Sequence, residues 1–277
     1  MLQTELNRLA VCELSTFSWS FEEDVLHYAS QGYGGVGIWR YKLHEYGEAK
    51  AVELLREHDM KVSSLHWAGG FTGSDGRSYR EALLDGLDAI EVAAEIGAGC
   101  LVLLVGGRAG HTKAHARRLV KGALKELAEA ALAKNVELAL EPMHVGCAER
   151  WTMLTELPMT LDLISDVGRK NIGVVLDAYH LTHDPNILDW IPSILPLVRL
   201  VQLGDAKAAP VFEQNRCSLG EGNLPLCEFV QALEAHHYSG FYEIEVLGEQ
   251  VEHIGYEKIL TQASHAWQSW ITPQASI

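Results

Sequence analysis

The sequence predicts a single α/β domain folded as a (β/α)8 barrel. Short apolar runs alternate with longer amphipathic runs along the 277 residues, and each kind occurs eight times. Such alternation is typical of βαβ units that build a parallel sheet. The chain length is also close to the usual size of a closed eightfold barrel. The first apolar run is followed by CELSTFSWS rather than by GxGxxG, which disfavours an open dinucleotide-binding sheet.

The strands are predicted from their apolar residues, which form nearly continuous Val, Leu and Ile runs in the middle of the chain. Continuous runs of this kind are typical of parallel strands that are buried on both faces. The predicted strands are LAVCEL (9–14), GVGIW (35–39), KVSSLHW (61–67), CLVLLVG (100–106), VELALE (136–141), IGVVLD (172–177), VRLVQLGD (198–205) and GFYEIEVL (240–247).

The helices are predicted from the amphipathic segments, in which apolar residues recur every three or four positions. In chain order they cover 21–31, 48–59, 79–96, 112–134, 159–167, 187–195, 226–237 and 256–271. No linker, low-complexity tract or shift in composition divides the chain. We therefore expect one domain over 1–277, with 272–277 as a loose tail.

Charge and composition exclude several classes of function. Acidic residues outnumber basic ones by 37 to 22, for a formal charge of −15, whereas nucleic acids and anionic membranes favour a basic surface. No apolar run is long enough to span a membrane, and the N-terminus lacks the pattern of a secretory signal. Five cysteines without a CxxC pair suit a reducing compartment. We expect a cytoplasmic protein without nucleic-acid or membrane partners.

Polar side chains at or near the ends of four adjacent predicted strands indicate a metal site. Glu141 and Asp177 end the fifth and sixth strands, and Gln202 and Glu245 lie towards the ends of the seventh and eighth. Barrel enzymes place their chemistry at these carboxyl ends. Carboxylates brought together repel one another unless a cation neutralises them, so one divalent metal ion is expected here. The alternative is that each of the four side chains is separately hydrogen-bonded or exposed.

Several strand-end segments carry a resemblance to a known family. LALEPMH, VVLDAYH, LVQLGD, RCSLGEGNLPL and GFYEIEV follow one another at successive strand ends. With them the chain resembles the xylose isomerase-like TIM barrels, which include ketose 3-epimerases, hydroxypyruvate isomerase, inosose dehydratase and endonuclease IV. The resemblance extends over nearly the whole chain, from the first strand to the last helix.

The resemblance implies a metal shell and an acid–base pair. The family holds its metal with Glu, Asp, His and Glu on the last four strands, which match Glu141, Asp177, Gln202 and Glu245. Gln replaces His at the third position, as in members similar to hydroxypyruvate isomerase. The two glutamates of the epimerases also act as acid and base, which implies these catalytic roles for Glu141 and Glu245.

The resemblance also implies two substrate contacts. The histidine three residues after the aspartate ligand corresponds to His180. An arginine in the loop after the seventh strand corresponds to Arg216, although the loop is longer here.

Other residues at strand ends are candidates for binding or orienting a ligand. Each has a structural alternative, such as rim packing, a turn or a solvated helix face. The candidates for substrate binding are His66, Trp39, Trp67, Arg108 and His111, and those for orienting the metal ligands are Asp205 and His144. Glu243, two residues before Glu245, is expected to point outward.

Three functions remain open. The first is a metal-dependent isomerase or epimerase of a sugar, small ketose or sugar phosphate, working through an enediolate. The second is an inosose-type dehydratase on the same scaffold, and the third a sugar-binding barrel without catalysis. An oxygen shell favours Mn²⁺ or Mg²⁺ as the metal, with Co²⁺ or Zn²⁺ as alternatives. The expected partner is a small-molecule carbohydrate, and a homo-oligomer is compatible with the sequence. A DNA-repair role is disfavoured, because the loops that would supply further zinc ligands read VGGR and RCS.

Overall fold

The strands of the protein form one closed parallel barrel. The computed structural model describes residues 6–211 and 215–271. The strands follow one another in chain order, and the last pairs with the first. They are β1 (Leu9–Cys12), β2 (Gly35–Trp39), β3 (Lys61–Gly69), β4 (Leu101–Leu104), β5 (Leu138–Leu140), β6 (Ile172–Asp177), β7 (Val198–Leu203) and β8 (Tyr242–Ile244). The predicted (β/α)8 barrel is therefore confirmed, while the expected loose tail lies outside the described residues.

The strand boundaries differ from the predicted ones mainly at the ends. β2 and β6 match the prediction, whereas β5 and β8 keep only three residues each. Glu141 and Glu245 therefore follow their strands rather than end them. The difference is small, because the backbone N–H groups of Glu141 and Glu245 still donate to Leu103 at 3.4 Å and Leu203 at 3.0 Å on the neighbouring strands.

The helices pack around the barrel. They are α1 (Phe21–Gln31), α2 (Arg40–Tyr46), α3 (Glu48–Glu57), α4 (Tyr79–Glu95), α5 (Lys113–Ala133), α6 (Val145–Trp151), α7 (Leu157–Val167), α8 (Ala178–Leu181), α9 (Ile187–Ile194), α10 (Leu226–Ala235), α11 (Glu249–Ile254) and α12 (Tyr256–Ile271). Of these, α2, α6, α8 and α11 were not predicted, because a helix of one or two turns is too short for apolar periodicity to show. No helix in the described ranges is long and apolar enough to cross a membrane.

A buried ion pair fixes the segment between β1 and α1. Lys42 and Asp24 are almost completely buried, and the Lys42 Nζ donates to the Asp24 carboxylate at 2.6 Å. The same ammonium donates to the backbone carbonyls of Glu13 at 3.2 Å and Thr16 at 2.9 Å. A buried charge of this kind is tolerated only when it is paired and hydrogen-bonded. The pair therefore ties α2 to the chain that leaves the first strand.

We expect Lys42→Met to lower the free energy of unfolding by about 3–5 kcal/mol, because it leaves the Asp24 carboxylate buried without its partner. Urea denaturation of the purified variant measures this. Lys61→Met is the matched control, since Lys61 pairs with Asp59 on the surface, and it should cost under about 0.5 kcal/mol. Equal losses in the two variants would contradict the role given to Lys42.

Candidate active site

Three side chains gather at the carboxyl ends of β5 and β6. Glu141 follows β5, Asp177 ends β6, and His180 lies one helical turn later in α8. All three are buried, and one ligand-type atom from each lies within 4.8 Å of the others. The short helix α8 produces this arrangement, because residues three apart on a helix lie on the same face.

The hydrogen bond at Nδ1 of His180 indicates the role of this residue. Nδ1 accepts the backbone N–H of His144 at 3.2 Å, so a neutral ring carries its proton on Nε2. That nitrogen, 3.8 Å from Glu141 and 3.6 Å from Asp177, then faces the cluster as a donor and cannot ligate a cation. This favours the expected substrate contact for His180 over a metal-ligand role.

Gln202 on β7 joins two glutamates and presents an unpaired oxygen. Its Nε2 donates to Glu243 Oε1 at 3.2 Å and to the Glu245 carboxylate. Its Oε1 is buried and has no hydrogen-bond partner among the described residues. A buried carbonyl oxygen without a partner costs free energy. This oxygen is therefore suited to hold a ligand, and an amide oxygen is one that divalent cations accept.

Arg216 supplies the positive charge in this cluster. The side chain is completely buried, and Nη1 donates to Asp177 Oδ2 at 3.1 Å and to the backbone carbonyl of Glu245 at 2.9 Å. Nη2 lies 3.5 Å from Glu245 Oε1, and the guanidinium lies over the Tyr179 ring at 4.2 Å. The arginine predicted as a substrate contact thus also neutralises two candidate metal ligands.

The expectation that Glu243 points outward is wrong. Its carboxylate lies inside the barrel, where it accepts hydrogen bonds at 2.6 Å from Ser63 and Ser64 and lies 2.9 Å from Nε2 of His66. Residues two apart on a strand face the same side, so Glu243 must share the inward direction of Glu245. Gly37 on β2 makes room, because a Cβ there would overlap this carboxylate. Strand parity was the signal that could have identified Glu243.

Glu243 and His66 form a buried ion pair. Burial by itself raises the pKa of Glu243, but His66 and the two serine hydroxyls outweigh it, so the pKa lies below its usual value. Burial by itself lowers the pKa of His66, but Glu243 outweighs it and raises the pKa. His66 therefore lies inside the barrel, held against Glu243.

The two predicted tryptophans lie at the rim of the barrel. Trp39 stacks on Phe17 with 5.4 Å between ring centroids and contacts Tyr41 at 5.1 Å. Trp67 packs edge-on against Trp151 at 5.5 Å. Both tryptophans are partly exposed, and Trp67 also packs against buried core residues.

The side chains of Asp205 and His144 accept hydrogen bonds from backbone N–H groups, while the backbone N–H of His144 binds the ring of His180. Asp205 accepts the N–H groups of Ala206, Gly220 and Gly222 at 2.8–3.0 Å, which fixes the loop after β7. His144 caps α6, with its Nδ1 accepting the N–H of Gly146. Burial and the nearby His180 lower the pKa of His144.

Arg108 and His111 do not reach the cluster. Arg108 is exposed and lines a separate groove. The Nε2 of His111 lies 3.2 Å from the backbone carbonyl of Thr72, and its ring stacks on His115. The loop after β4 carries both residues away from the barrel axis.

Comparison with known proteins identifies the family. A family model described as xylose isomerase-like TIM barrel matches residues 26–269. The chain belongs to this family. An inosose isomerase of Halalkalibacterium halodurans is 23% identical over 232 residues, which are 80% of each chain. A solved protein of Sinorhizobium meliloti 1021 is 24% identical with a TM-score of 0.87, over 95% of this chain and 98% of the other. The IOLI protein, solved with a zinc atom, is 19% identical with a TM-score of 0.84, over 98% and 100%.

The residues present fit a divalent cation. Glu141 and Asp177 lie in one cluster, Arg216 links Asp177 to Glu245, and this one guanidinium compensates only part of the charge of the three buried carboxylates. The buried Oε1 of Gln202 adds an acceptor that no described residue satisfies. These four side chains would hold the ion through oxygen atoms alone.

We expect Arg216→Met to make stability depend on a divalent cation. Without metal the variant should lose about 3–5 kcal/mol of unfolding free energy, because buried carboxylates lose their counter-charge. Mn²⁺ should then raise its Tm more than it raises that of the unmodified protein, since binding to the folded state stabilises it. Thermal melts with Mn²⁺ and with EDTA measure both effects.

Arg56→Met, at an exposed position on α3, is the control and should behave like the unmodified protein. A Tm of Arg216→Met that responds to Mn²⁺ no more than the control would contradict the role of Arg216 as an internal counter-ion.

Proposed function

We propose that the protein is a divalent-cation-dependent isomerase or epimerase of a sugar or a related cyclic or open-chain ketose, with Glu141 and Glu245 as its acid–base pair. The observation that carries this proposal is the exposure of the carboxylates. The side chains of Asp177 and Glu243 are completely buried, whereas those of Glu141 and Glu245 each keep 7% exposure. These two are thus the carboxylates that a bound substrate can touch.

The positions of the two glutamates suit proton transfer on both sides of a substrate. β6 and β7 separate β5 from β8, so Glu141 and Glu245 approach the centre of the barrel mouth from different directions. Enediolate chemistry needs a base at a carbon-bound proton, an acid that returns the proton, and an electrophile at the adjacent carbonyl. A divalent cation supplies the electrophile when it is bound.

The neighbouring residues position the substrate and the acid–base pair. His180 offers its Nε2–H to a substrate oxygen, because its Nδ1 is occupied by the His144 N–H. Asp177 cannot turn, since its carboxylate accepts from the backbone N–H of Tyr179 at 2.8 Å and from Arg216 at 3.1 Å. The rim rings of Trp39 and Trp67 provide apolar faces on which a sugar ring can lie.

Activity measured on a panel of ketoses, inososes and sugar phosphates with Mn²⁺ tests the proposal directly. An isomerase or epimerase conserves the mass of its substrate. A product lighter by one water would instead establish an inosose-type dehydratase, and binding without turnover would establish a sugar-binding barrel.

Glu141→Gln and Glu245→Gln should each lower kcat on the order of 100-fold or more, because an amide cannot transfer the proton. In D₂O the unmodified enzyme should place deuterium at the carbon that loses its proton, and both variants should slow this exchange. Kinetics and NMR of the product measure the two effects.

Glu137→Gln is the matched control. Glu137 precedes the first residue of β5, at the end of the strand opposite to Glu141, and pairs with Arg199 at the surface. The variant should therefore keep normal activity and normal deuterium exchange. Turnover without deuterium incorporation would indicate a hydride shift and would contradict the assignment of a glutamate as the catalytic base.

Gln202→His should move the metal preference. We expect Mn²⁺ or Mg²⁺ to support the highest turnover of the unmodified enzyme, because all four proposed ligands bind through oxygen. An imidazole at this position should shift the optimum towards Co²⁺ or Zn²⁺. Rates measured after chelation and reloading with each ion give the order of preference. Gln231→His, on the exposed face of α10, should keep the original order, and an unchanged order in Gln202→His would argue against Gln202 as a ligand.

A further inference from the structure

A cavity lies outside the carboxylate cluster. It has a volume of about 1320 Å³ and is formed by the loop before α5, the first turn of α5, α6 and the loop from α6 to α7. None of Glu141, Asp177, Gln202 or Glu245 lines it. We call this cavity the α5–α6 groove. It includes Arg108, which the active site does not use.

The α5–α6 groove is positively charged in an otherwise acidic protein. Arg108 in the loop before α5, Lys113 in the first turn of α5 and Arg150 on α6 all line it. The structure shows no hydrogen bond or ion pair between these three side chains and any described residue. Glu149 is the carboxylate among the lining residues. Two net positive charges therefore remain in the groove, although the whole chain carries −15.

A fourth lining cation, Arg117, differs from these three. Its Nη2 donates to Asp162 at 2.8 Å and to Asp166 at 2.6 Å. Its charge is therefore already compensated by α7. This contrast shows that the protein has carboxylates available at this surface and that they do not pair with Arg108, Lys113 or Arg150.

Backbone groups add to the positive potential. Lys113 and Ala114 are the first two residues of α5, a helix of 21 residues, and both line the groove. Their N–H groups have no acceptor within the helix. The cap residue Thr112 accepts the N–H of His115 instead, so it does not satisfy them. The positive end of the helix dipole therefore adds to the charges of the three side chains.

Part of the remaining lining is apolar. Met153 and Met159 are partly buried, and Val145 and Ala148 of α6 lie on the same side. A ligand that fills the groove would therefore combine an anionic end with an apolar body. The volume is large enough for a small organic molecule.

We propose that the α5–α6 groove binds a small organic phosphate monoester. Its dianion would lie between Arg108, Lys113 and Arg150, and its apolar part against Met153 and Met159. A phosphate ester matches the two net positive charges of the lining, and guanidinium groups bind phosphate oxygens in pairs. The acidic character of the whole chain argues against a nucleic-acid backbone as the source of the phosphate.

Isothermal titration of the protein with phenyl phosphate at pH 7.5 tests the proposal. Arg108→Gln/Arg150→Gln should weaken binding on the order of tenfold or more, because it removes both exposed guanidinium groups that face the dianion. Raising NaCl should also weaken it, as should a pH near 5, where the phosphate becomes a monoanion. Inorganic phosphate should bind more weakly, since it lacks the apolar body.

Arg56→Gln/Arg80→Gln is the matched control, because it removes the same charge from exposed positions of α3 and α4. It should bind phenyl phosphate as the unmodified protein does. If both double variants lost the same affinity for phenyl phosphate, the loss would reflect the net charge of the protein alone, and the proposed site would be wrong. Equal affinity for inorganic and phenyl phosphate would contradict the proposed contact between the apolar body of the ligand and the two methionines.

Glu141→Gln separates this groove from the active site. It should leave phenyl phosphate binding unchanged whether or not the proposed isomerase activity exists. Binding that changes in Glu141→Gln but not in Arg108→Gln/Arg150→Gln would place the phosphate at the carboxylate cluster and overturn the groove.

Discussion

The main constraint on this structure is the burial of negative charge at the mouth of the barrel. Glu141, Asp177, Glu243 and Glu245 lie close together with almost no exposure. Carboxylates in such surroundings repel one another and are unfavourable without compensation. The chain contributes Arg216 and the imidazole of His66 to this region, and the remaining imbalance is what makes it suitable for a divalent cation.

The charge is divided between two groups of carboxylates. Glu243 is satisfied by Ser63, Ser64, His66 and the amide of Gln202. Asp177 is also completely buried and accepts from Arg216, whereas Glu141 and Glu245 keep slight exposure. Gln202 connects Glu243 with Glu245, because its Nε2 donates to both and its Oε1 is therefore fixed in one direction. A side chain held in this way needs no reorganisation when a ligand arrives.

The loops after β6 and β7 complete the site through backbone contacts. Asp205 accepts the N–H groups of Ala206, Gly220 and Gly222, and Arg216 between them reaches Asp177 at the end of β6. α8 places His180 one turn beyond Asp177, and the chain before α6 fixes its tautomer. The loops thus determine which atom of each side chain faces the cluster, while the strands determine which side chains are present.

The sequence by itself determined the fold class, the bounds of β2, β6, α1 and α12, and the convergence of carboxylates at successive strand ends. These features can be predicted from the sequence, because apolar periodicity and the order of the elements depend on residues that are close together along the chain. Strand parity would also have placed Glu243 inside. Only the tertiary structure decided that Arg216 lies between Asp177 and Glu245, that Gln202 presents its oxygen, and that Arg108 belongs to another groove. Loop direction and hydrogen-bond pairing depend on residues far apart in sequence, so no local pattern contains them.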